Sequence, residues 1–453
     1  MIDPGVALED GPADVVRNGG RRFHLALAGV TLGAFLLRLS TLANIASRNP
    51  DGGDPYYYHV QANFLVNGHG FSDPFIWRES HEMVPSAIHP PLYSLWLAIP
   101  SLFGQGGYTA HKIMSVLAGA LTVAMIGVLA RKVAGPRAGI VAAILAAIYP
   151  PLWSIDGQLW PEGLFTGLVA LACWCAYRAR EEPGWRTSAA VGAAVAAAAL
   201  TRGEAIGLAP LLIVPMILFR HGRPRRREWM DLTVAGLACL AVLTPWTIRN
   251  VTTFEHFVPL STNSDEVWVY ANNPYAYGTE AGGDYLGFWY FPWQEQLRDE
   301  RQAQLGDERR EPPGDASEKA RYWREEGVAY AKEHRNRLPI VVAARVGRAW
   351  NVYAPFQNAR FDQIDGKRLW VSQLGVFAWW GALALAVPGA WLLRRRGVTI
   401  IPFVALATLV TVTAIYAYGA NRFRTPLDMA ALVLAAVTID HLLTRLTRSS
   451  AST

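Results

Sequence analysis

Three carboxylates lie close to the ends of apolar segments in the first half of the chain. Asp54 follows the first apolar segment, and Asp156 and Glu162 lie between two later ones, in YPPLWSIDGQLWPEGLF. A carboxylate in such a place can accept a proton from a hydroxyl group or bind a metal ion. We therefore predict catalytic roles for all three. The structural alternatives are a helix cap for Asp54, and a cap or an interhelical salt bridge for the other two.

Arginines recur at the corresponding ends of later apolar segments. They are Arg202 in LTRGEAIG, Arg249 in TPWTIRN, and Arg422 and Arg424 in YGANRFRTP. The planar guanidinium group matches the oxygen atoms of a phosphate, so these four residues are predicted to bind a phosphorylated substrate. The alternative is that they extend toward lipid headgroups.

Aromatic and histidine side chains surround Asp54 in the sequence. Tyr57, Tyr58 and His59 follow it in GGDPYYYHVQANFLVNGHG, and His89 begins HPPLYSLWLAIPSLFG. We predict that these four residues contact the substrate, although tyrosines are also typical of the membrane interface. Together with Glu79 and Glu82, the two histidines leave a divalent metal ion possible, but their spacing matches no recognised metal signature. No other cofactor is predicted.

The elements that carry these residues are predicted to be membrane helices. The chain has 453 residues, of which 52% are hydrophobic and only 17% charged. Its apolar segments approach the roughly 20 residues needed to cross a bilayer as a helix. Ten such segments are predicted, at 24–43, 111–130, 137–152, 162–177, 187–201, 205–219, 230–248, 372–393, 398–417 and 426–444. The sequence therefore predicts an all-α polytopic membrane protein.

The basic residues of the chain indicate its orientation. The formal net charge is +6, but Lys and Arg cluster after every second apolar segment, which is the positive-inside pattern and gives no reason to expect nucleic-acid binding. Both termini are then cytoplasmic, and the candidate residues lie on the extracytoplasmic side of the cell membrane. The predicted regions are an N-terminal tail (1–23), an N-terminal membrane module (24–248) with a long first outer loop (44–110), a mixed extracytoplasmic insert (249–371), C-terminal membrane helices (372–444) and a C-terminal tail (445–453).

Two further segments are predicted to be helices that do not cross the membrane. The segment 89–104 is apolar, but a crossing there would reverse the side of every later basic loop up to the insert. We predict instead that it lies at the interface, with Tyr93 and Trp96 at headgroup level. The segment 337–353 is predicted to be an amphipathic helix on the outer leaflet.

The order of these motifs resembles the C-type glycosyltransferase superfamily, in particular bacterial proteins similar to protein O-mannosyltransferases and to the lipid A aminoarabinose transferase. The matching pieces extend from residue 24 to about 444 and end with NNPYAYG and RFRTPLDMAALVLAA. The resemblance implies a cell-envelope enzyme with about ten membrane helices. It also implies transfer of a hexose or pentose from a polyprenyl-phosphate donor to a lipid, glycan or protein acceptor.

The same resemblance implies particular roles for the candidate residues. In such enzymes an aspartate of the first outer loop acts as the base or orients the acceptor, and Asp54 occupies that place. Arg202, with Arg249 or Arg422, would stabilise the phosphate as an inverting substitution proceeds. One departure is that many members have two adjacent acids here, whereas Pro55 follows Asp54.

Two other classes of protein remain as alternatives. A transporter or flippase of a lipid-linked glycan would share the arginines and the aromatic residues, but many transporters carry paired half-repeats that are not evident in this sequence. A glycan polymerase or ligase would also use outer loops and a lipid phosphate. It would differ in taking an oligosaccharide donor.

Overall fold

The computed structural model describes residues 12–44, 49–220, 222, 225–279, 285–290, 292–305 and 312–450. The outermost residues of the two predicted tails, 1–11 and 451–453, lie outside the described residues. In the described part the chain forms helices and no strands, and its only bridge of β type joins Ser72 to Pro85. The α-helices are α1 (Pro12–Asn44), α2 (Gly53–Val66), α3 (Pro74–Ser80), α4 (Leu92–Ser101), α5 (Tyr108–Ala134), α6 (Pro136–Ile148), α7 (Pro150–Asp156), α8 (Glu162–Glu181), α9 (Trp185–Ala199), α10 (Val214–Leu218), α11 (Arg226–Thr253), α12 (Asn263–Ala271), α13 (Pro292–Leu305), α14 (Ala316–Glu333), α15 (Leu338–Ala349), α16 (Pro355–Phe361), α17 (Leu369–Arg395), α18 (Ile401–Tyr416) and α19 (Thr425–Ser450).

The described residues contain five helices that are long and apolar enough to cross a bilayer. They are α1 over Gly20–Leu42, α5, α11, α17, and α19 with the short 3₁₀ turn before it. The bent pair α6 and α7 adds a sixth if it counts as one broken span. The other predicted spans also lie on helices but are shorter or more polar. Helix α9, for example, has 15 residues and a length of about 22 Å, less than the roughly 30 Å of a hydrocarbon core. The helical polytopic membrane fold is confirmed, while the number of ten crossings stays a prediction.

Burial separates central from peripheral membrane helices. The most apolar stretches of α5 and α19 are 61% and 67% buried, whereas those of α1, α11 and α17 are 22%, 28% and 33% buried. The peripheral helices expose large apolar side chains such as Leu32, Leu240 and Phe377. In a bilayer such side chains face lipid, because lipid tails are as apolar as the side chains themselves. Helices α5 and α19 therefore form the centre of the bundle.

A sharp bend between α6 and α7 precedes the predicted carboxylates Asp156 and Glu162. Helix α6 ends at Ile148, and α7 begins at once with Pro150 and Pro151, at 57° to α6. Proline suits the first turn of a helix but cannot continue the hydrogen-bond ladder of the preceding one. After α7, Leu159 adopts a left-handed backbone conformation (φ 60°) although it is a branched, buried residue. The turn between α7 and α8 is therefore held in place by its surroundings.

The described residues of the predicted mixed insert form helices α12 to α16 joined by turns and irregular segments, and α12 and α14 pack together. Helix α15 lies within the predicted segment 337–353, but it packs on α18 and does not lie free on the leaflet. Its Arg345 and Arg348 are 2% and 0% exposed and donate to Ile415 O (3.0 Å) and to Asn358 Oδ1 (2.7 Å). Arg345 of α15 thus attaches the insert to the bundle.

Helix α4 accounts for the apolar segment predicted not to cross. With 10 residues it is about 15 Å long, and it packs on α2 and α5. Tyr93 is fully buried and donates to Ser115 Oγ at 2.9 Å. The Tyr93 ring therefore belongs to the protein interior and does not face lipid, and its level relative to the headgroups stays a prediction.

Candidate functional site

Asp54 lies in the first turn of α2. The residue that caps this helix is Gly52, with extended backbone geometry, so Asp54 does not act as the N-cap. A carboxylate in the first turn is favoured by the helix dipole, and its oxygens remain free for partners outside the helix. The helix-cap alternative for Asp54 is therefore wrong.

Two basic side chains contact the Asp54 carboxylate. Arg422 Nη1 lies 3.2 Å from Oδ2, and His89 Nε2 lies 3.3 Å from Oδ1, an ion-pair distance without a well-aligned hydrogen bond. Burial raises the pKa of Asp54, but His89, Arg422 and Arg202 together outweigh it and hold the pKa well below its usual range. The side chain is still 31% exposed. Asp54 is thus an ionised and accessible carboxylate.

Arg422 is positioned by the 3₁₀ turn Asn421–Arg424, just before α19. Its guanidinium carbon lies 4.5 Å from the centre of the Trp160 ring, and its Nη2 donates to the Tyr418 hydroxyl at 3.2 Å. A guanidinium over an indole ring is favourable electrostatically and leaves its edge free to donate hydrogen bonds. The Arg422 side chain is 13% exposed, so this edge is accessible from the site.

Arg202 reaches the same place from the turn between α9 and α10. It pairs with Glu162 through Nη1 (2.5 Å) and with Glu204 through Nε (2.6 Å). Arg202 and Arg422 both lie against the ring of Phe423, at 5.1 and 5.7 Å. The structure therefore brings Asp54, Glu162, Arg202 and Arg422 together from four separate parts of the chain. We call these four residues the Asp54 cluster.

Glu162 has a different environment from Asp54 within this cluster. It is 1% exposed, and its Oε2 has no hydrogen-bond partner. The interhelical salt-bridge alternative describes it well, since its Oε1 accepts from Arg202. Glu162 therefore holds the Arg202 guanidinium in place and presents little surface to a substrate.

Tyr57 and Tyr58 are predicted substrate contacts, but the structure buries both. They are 1% and 2% exposed, and neither offers a ring face to a ligand. Tyr58 stacks on the His89 ring (4.9 Å, 25°), and Tyr57 meets the same ring edge-on at 4.9 Å. The substrate-binding prediction is corrected accordingly: the two tyrosines position His89 against Asp54.

Arg249 does not join the Asp54 cluster. Its guanidinium donates to Ser86 O and Phe71 O, each at 2.9 Å, and lies over the rings of Trp246 and Phe254. Its hydrogen-bonding edges are occupied by backbone carbonyls, so the predicted phosphate contact is not supported. Arg249 instead fastens the segment before His89 to the end of α11.

Asp156 and Arg424 are also separate from the Asp54 cluster. Asp156 Oδ2 pairs with Arg38 Nε of α1 at 2.6 Å, and both side chains are 1% exposed. The Asp156 carboxylate fills the space beside Gly163, where a Cβ atom would collide with it. Arg424 pairs with Asp428 at 2.8 Å, with side-chain exposures of 1% and 0%. The predicted catalytic role of Asp156 and phosphate contact of Arg424 are therefore corrected to buried structural ion pairs.

His59 makes its contacts on the side of α2 that faces α5. Its Nδ1 lies 2.9 Å from His111 Nδ1, and its ring stacks on Tyr108 with 3.5 Å between ring centres. Burial, with smaller contributions from His111 and Lys112, lowers the pKa of His59 to about 3. His59 is thus a neutral structural side chain in this arrangement.

The sequence analysis does not single out Trp160 or Asp365, yet both adjoin Arg422. The Trp160 indole N–H donates to the backbone oxygen of Asp365 at 3.2 Å, and Trp160 also carries the Arg422 guanidinium. Trp160 stands two residues before Glu162, in LWPEG, and this closeness to a candidate residue is the only sign in the sequence that Trp160 belongs to the site. Asp365 lies in FDQIDGKR, a polar stretch that resembles an ordinary linker.

The arrangement does not fit a divalent metal ion. Among the described residues, no three His, Cys, Asp or Glu side chains lie close enough to hold one. The positive charges of Arg422 and Arg202 act on Asp54 and would repel a metal cation bound there. What the cluster can do is bind an anion at the guanidinium groups beside an ionised carboxylate.

Comparisons with known proteins agree with this architecture. The family described as dolichyl-phosphate-mannose-protein mannosyltransferase matches residues 88–248. No curated protein matches the chain in sequence. The oligosaccharyltransferase of Archaeoglobus fulgidus, tethered with an acceptor peptide containing the NVT sequon, has a TM-score of 0.58 at 14% identity, covering 95% of this chain and 51% of that chain.

Two further solved structures are similar. The archaeal oligosaccharyltransferase AglB from Archaeoglobus fulgidus, with an inhibitory peptide and a dolichol-phosphate, has a TM-score of 0.53 at 16% identity and covers 95% of this chain and 51% of that chain. ArnT from Cupriavidus metallidurans bound to undecaprenyl phosphate has a TM-score of 0.42 at 16% identity, covering 92% and 77%. The chain spans about half the length of the oligosaccharyltransferase. The predicted resemblance is confirmed at the level of the fold, which is similar to that of the archaeal oligosaccharyltransferase, and residues 88–248 match the model of the mannosyltransferase family.

Proposed function

We propose that this protein transfers a single sugar from a polyprenyl-phosphate donor to an acceptor hydroxyl group on the extracytoplasmic side of the membrane. The observation that carries the proposal is the Asp54 cluster, in which an ionised carboxylate lies 3.2 Å from the partly exposed guanidinium of Arg422. Arg202 lies against the Phe423 ring, as Arg422 does. Two arginines and one base are the groups that displacement of a phosphate from a sugar needs.

The reaction is proposed to be an inverting displacement at the anomeric carbon. The acceptor oxygen forms a bond to that carbon as the carbon–oxygen bond to phosphate breaks, and the electron pair leaves with the phosphate. Asp54 takes the acceptor proton, and Arg422 and Arg202 neutralise the charge that develops on the leaving phosphate. The lipid remains as polyprenyl phosphate.

Arg422 contacts Asp54 and is also proposed to bind the donor phosphate, which gives the donor a way to activate the base. Without donor, Arg422 lies against Asp54 and helps to keep its pKa low, which makes Asp54 a weak proton acceptor. A donor phosphate at Arg422 offsets that positive charge, and the pKa of Asp54 rises toward the range of an effective base. Donor binding is therefore proposed to precede deprotonation of the acceptor.

The extracytoplasmic position is supported by the distribution of charge. The helix ends opposite the Asp54 cluster carry basic residues, among them Arg131 and Lys132 at the end of α5 and Arg394 and Arg395 at the end of α17. Positive charge of this kind marks the cytoplasmic side. The proposed partners are a polyprenyl-phosphate hexose or pentose, membrane lipids, and a lipid, glycan or protein acceptor.

The experiment is transfer by the purified protein in lipid nanodiscs. Undecaprenyl-phosphate mannose, glucose and arabinose, each with a labelled sugar, would be supplied with membrane lipids and with peptides as acceptors. We expect label to move from at least one donor to an acceptor, with inversion at the anomeric carbon. Movement of intact labelled donor across sealed vesicles, with no transfer, would favour the transporter alternative. Transfer only from an oligosaccharide donor would favour a polymerase or ligase.

A further inference from the structure

The loop between α16 and α17 carries a second carboxyl group to the Arg422 side of the cluster. Helix α16 ends at Phe361 and α17 begins at Leu369, and Asp365 lies between them. Two side chains of the α7–α8 turn fasten this loop: Trp160 donates to Asp365 O at 3.2 Å, and Gln158 donates to Gly366 O at 3.0 Å. The partners in each bond are more than 200 residues apart in sequence. The position of Asp365 is therefore fixed by the fold.

Backbone geometry allows the loop to approach this closely. Gly366 has φ +82°, and a Cβ atom there would lie 2.8 Å from Gln158 Oε1. Any other residue would both strain the backbone and push the loop from the turn. Since Trp160 also carries the Arg422 guanidinium at 4.5 Å, the backbone of Asp365 and the guanidinium group of Arg422 contact the same indole group.

The charged groups that act electrostatically on the Asp365 carboxyl are Arg422, Lys367, Asp362 and Glu162. Asp362 is already engaged, with Lys367 Nζ at 3.6 Å and Asn421 Nδ2 at 3.3 Å. Burial raises the pKa of Asp365 to about 6, although Arg422 and Lys367 lower it. The two carboxyl groups that face Arg422 thus differ: Asp54 is held ionised, and Asp365 carries a proton for part of the time near neutral pH. Pairs whose pKa values are pushed apart are typical of acid and base partners.

We propose that Asp365 is a further catalytic residue, which donates its proton to the phosphate oxygen released from the sugar. This inference rests on the proposed function. As the acceptor oxygen bonds to the anomeric carbon, its proton passes to Asp54, the carbon–oxygen bond to phosphate breaks, and the oxygen that leaves takes the proton of Asp365. Asp54 ends protonated and Asp365 ionised, and solvent restores both. A phosphate monoester has a second pKa near 6, so the transfer between the two groups is close to balanced.

The first test uses transfer kinetics with the undecaprenyl-phosphate sugar that the wild type transfers fastest. Asp365→Asn should lower kcat by about 10²-fold or more with little change in the donor KM, since general acid catalysis typically contributes about 10²–10⁴-fold. The wild-type rate should fall as pH rises through about 6 to 7, and this alkaline limb should be absent in Asp365→Asn. Asp362→Asn, in the same loop, is the matched control and should keep the limb. An unchanged kcat and pH profile in Asp365→Asn would overturn the inference.

A second measurement does not depend on turnover. Infrared difference spectra of the wild type should show a protonated carboxyl band that titrates near pH 6 and is missing from Asp365→Asn but present in Asp362→Asn. Undecaprenyl phosphate alone should then bind relatively more weakly to the wild type than to Asp365→Asn as pH rises, because ionised Asp365 repels phosphate. If the band belongs to another residue, the inference fails whatever the enzyme transfers. If the wild type transfers no sugar while the band is present, the proposed function fails instead.

Discussion

Two kinds of arginine–carboxylate pair lie within this one bundle. In the pairs Arg38–Asp156 and Arg424–Asp428 every side chain is at most 1% exposed, whereas Arg422 and Asp54 are 13% and 31% exposed. The chemistry of the side chains is the same in both. In each enclosed pair the arginine and the carboxylate bind one another away from solvent, while the open pair holds charges that a substrate can reach. Exposure therefore separates the residues that build the bundle from those that we propose to act in it.

The largest expected effect is the loss of transfer on changing the open pair at Asp54. Asp54→Asn keeps the shape of the side chain but removes the proton acceptor, so the rate of transfer should fall by about 10²–10⁴-fold. Binding of undecaprenyl phosphate and the thermal midpoint in detergent should change little. The measurement is single-turnover transfer beside a binding titration, and full activity in Asp54→Asn would contradict the role of base.

Breaking an enclosed pair should act on stability instead. Arg38→Met leaves the Asp156 carboxylate buried without its partner, which costs about 3–5 kcal/mol for a buried ion pair. The thermal midpoint should drop clearly, and the activity of the molecules that remain folded should be close to that of the wild type. Arg38→Met combined with Asp156→Leu should recover much of the loss, because no charge is then left unpaired. A catalytic defect without a loss of stability would reverse the assignment of Asp156.

A smaller, pH-dependent effect is expected at Arg422. Arg422→Gln removes one cause of the low pKa of Asp54, so burial weighs more and the pKa rises. Because Asp54 acts in its ionised form, the acid limb of the rate profile should move to higher pH, toward or above the ordinary aspartate value of about 4. Donor KM should also rise. Arg424→Gln, two residues away in the same 3₁₀ turn but in an enclosed pair, should leave the acid limb in place.

The smallest effect should come from Trp160. Trp160→Phe keeps an aromatic face for Arg422 but removes the N–H that donates to Asp365 O. A net loss of about 1 kcal/mol is typical of one such bond, which corresponds to a several-fold change in rate. Trp160→Ala should cost more, since it removes the support of Arg422 as well. Equal rates in Trp160→Phe and Trp160→Ala would indicate that the ring itself has no part in positioning the guanidinium.

The sequence was sufficient for the fold class and for part of the site. Apolar segments and basic helix ends predict a polytopic bundle because both follow from the bilayer. The outer turns predict Asp54, Arg202 and Arg422 for a similar reason, since charged side chains at a membrane edge need partners or ligands. Periodicity and spacing in the sequence do not show which side chain or ligand pairs with a given charged residue. Asp156 therefore looked like Asp54 in sequence, although Arg38, 118 residues earlier, encloses it.

Residues whose role depends on contacts between distant segments could not be predicted. Arg249 lies at the end of an apolar segment, where a phosphate-binding arginine could also lie. Only the folded chain shows that its guanidinium group donates to the carbonyl oxygens of Phe71 and Ser86. Tyr57 and Tyr58 are typical of an interface, but their register on α2 turns them toward His89. Asp365 lies in a polar stretch with no motif, and its importance arises from a turn some 200 residues away.

The most direct measurement is the structure of the protein with undecaprenyl-phosphate mannose bound, determined for Asp54→Asn so that the donor survives. The phosphate should lie within hydrogen-bonding distance of Arg422 and close to Arg202, with the anomeric carbon turned toward residue 54. A phosphate bound elsewhere on the bundle, with Arg422 still against residue 54, would contradict the account.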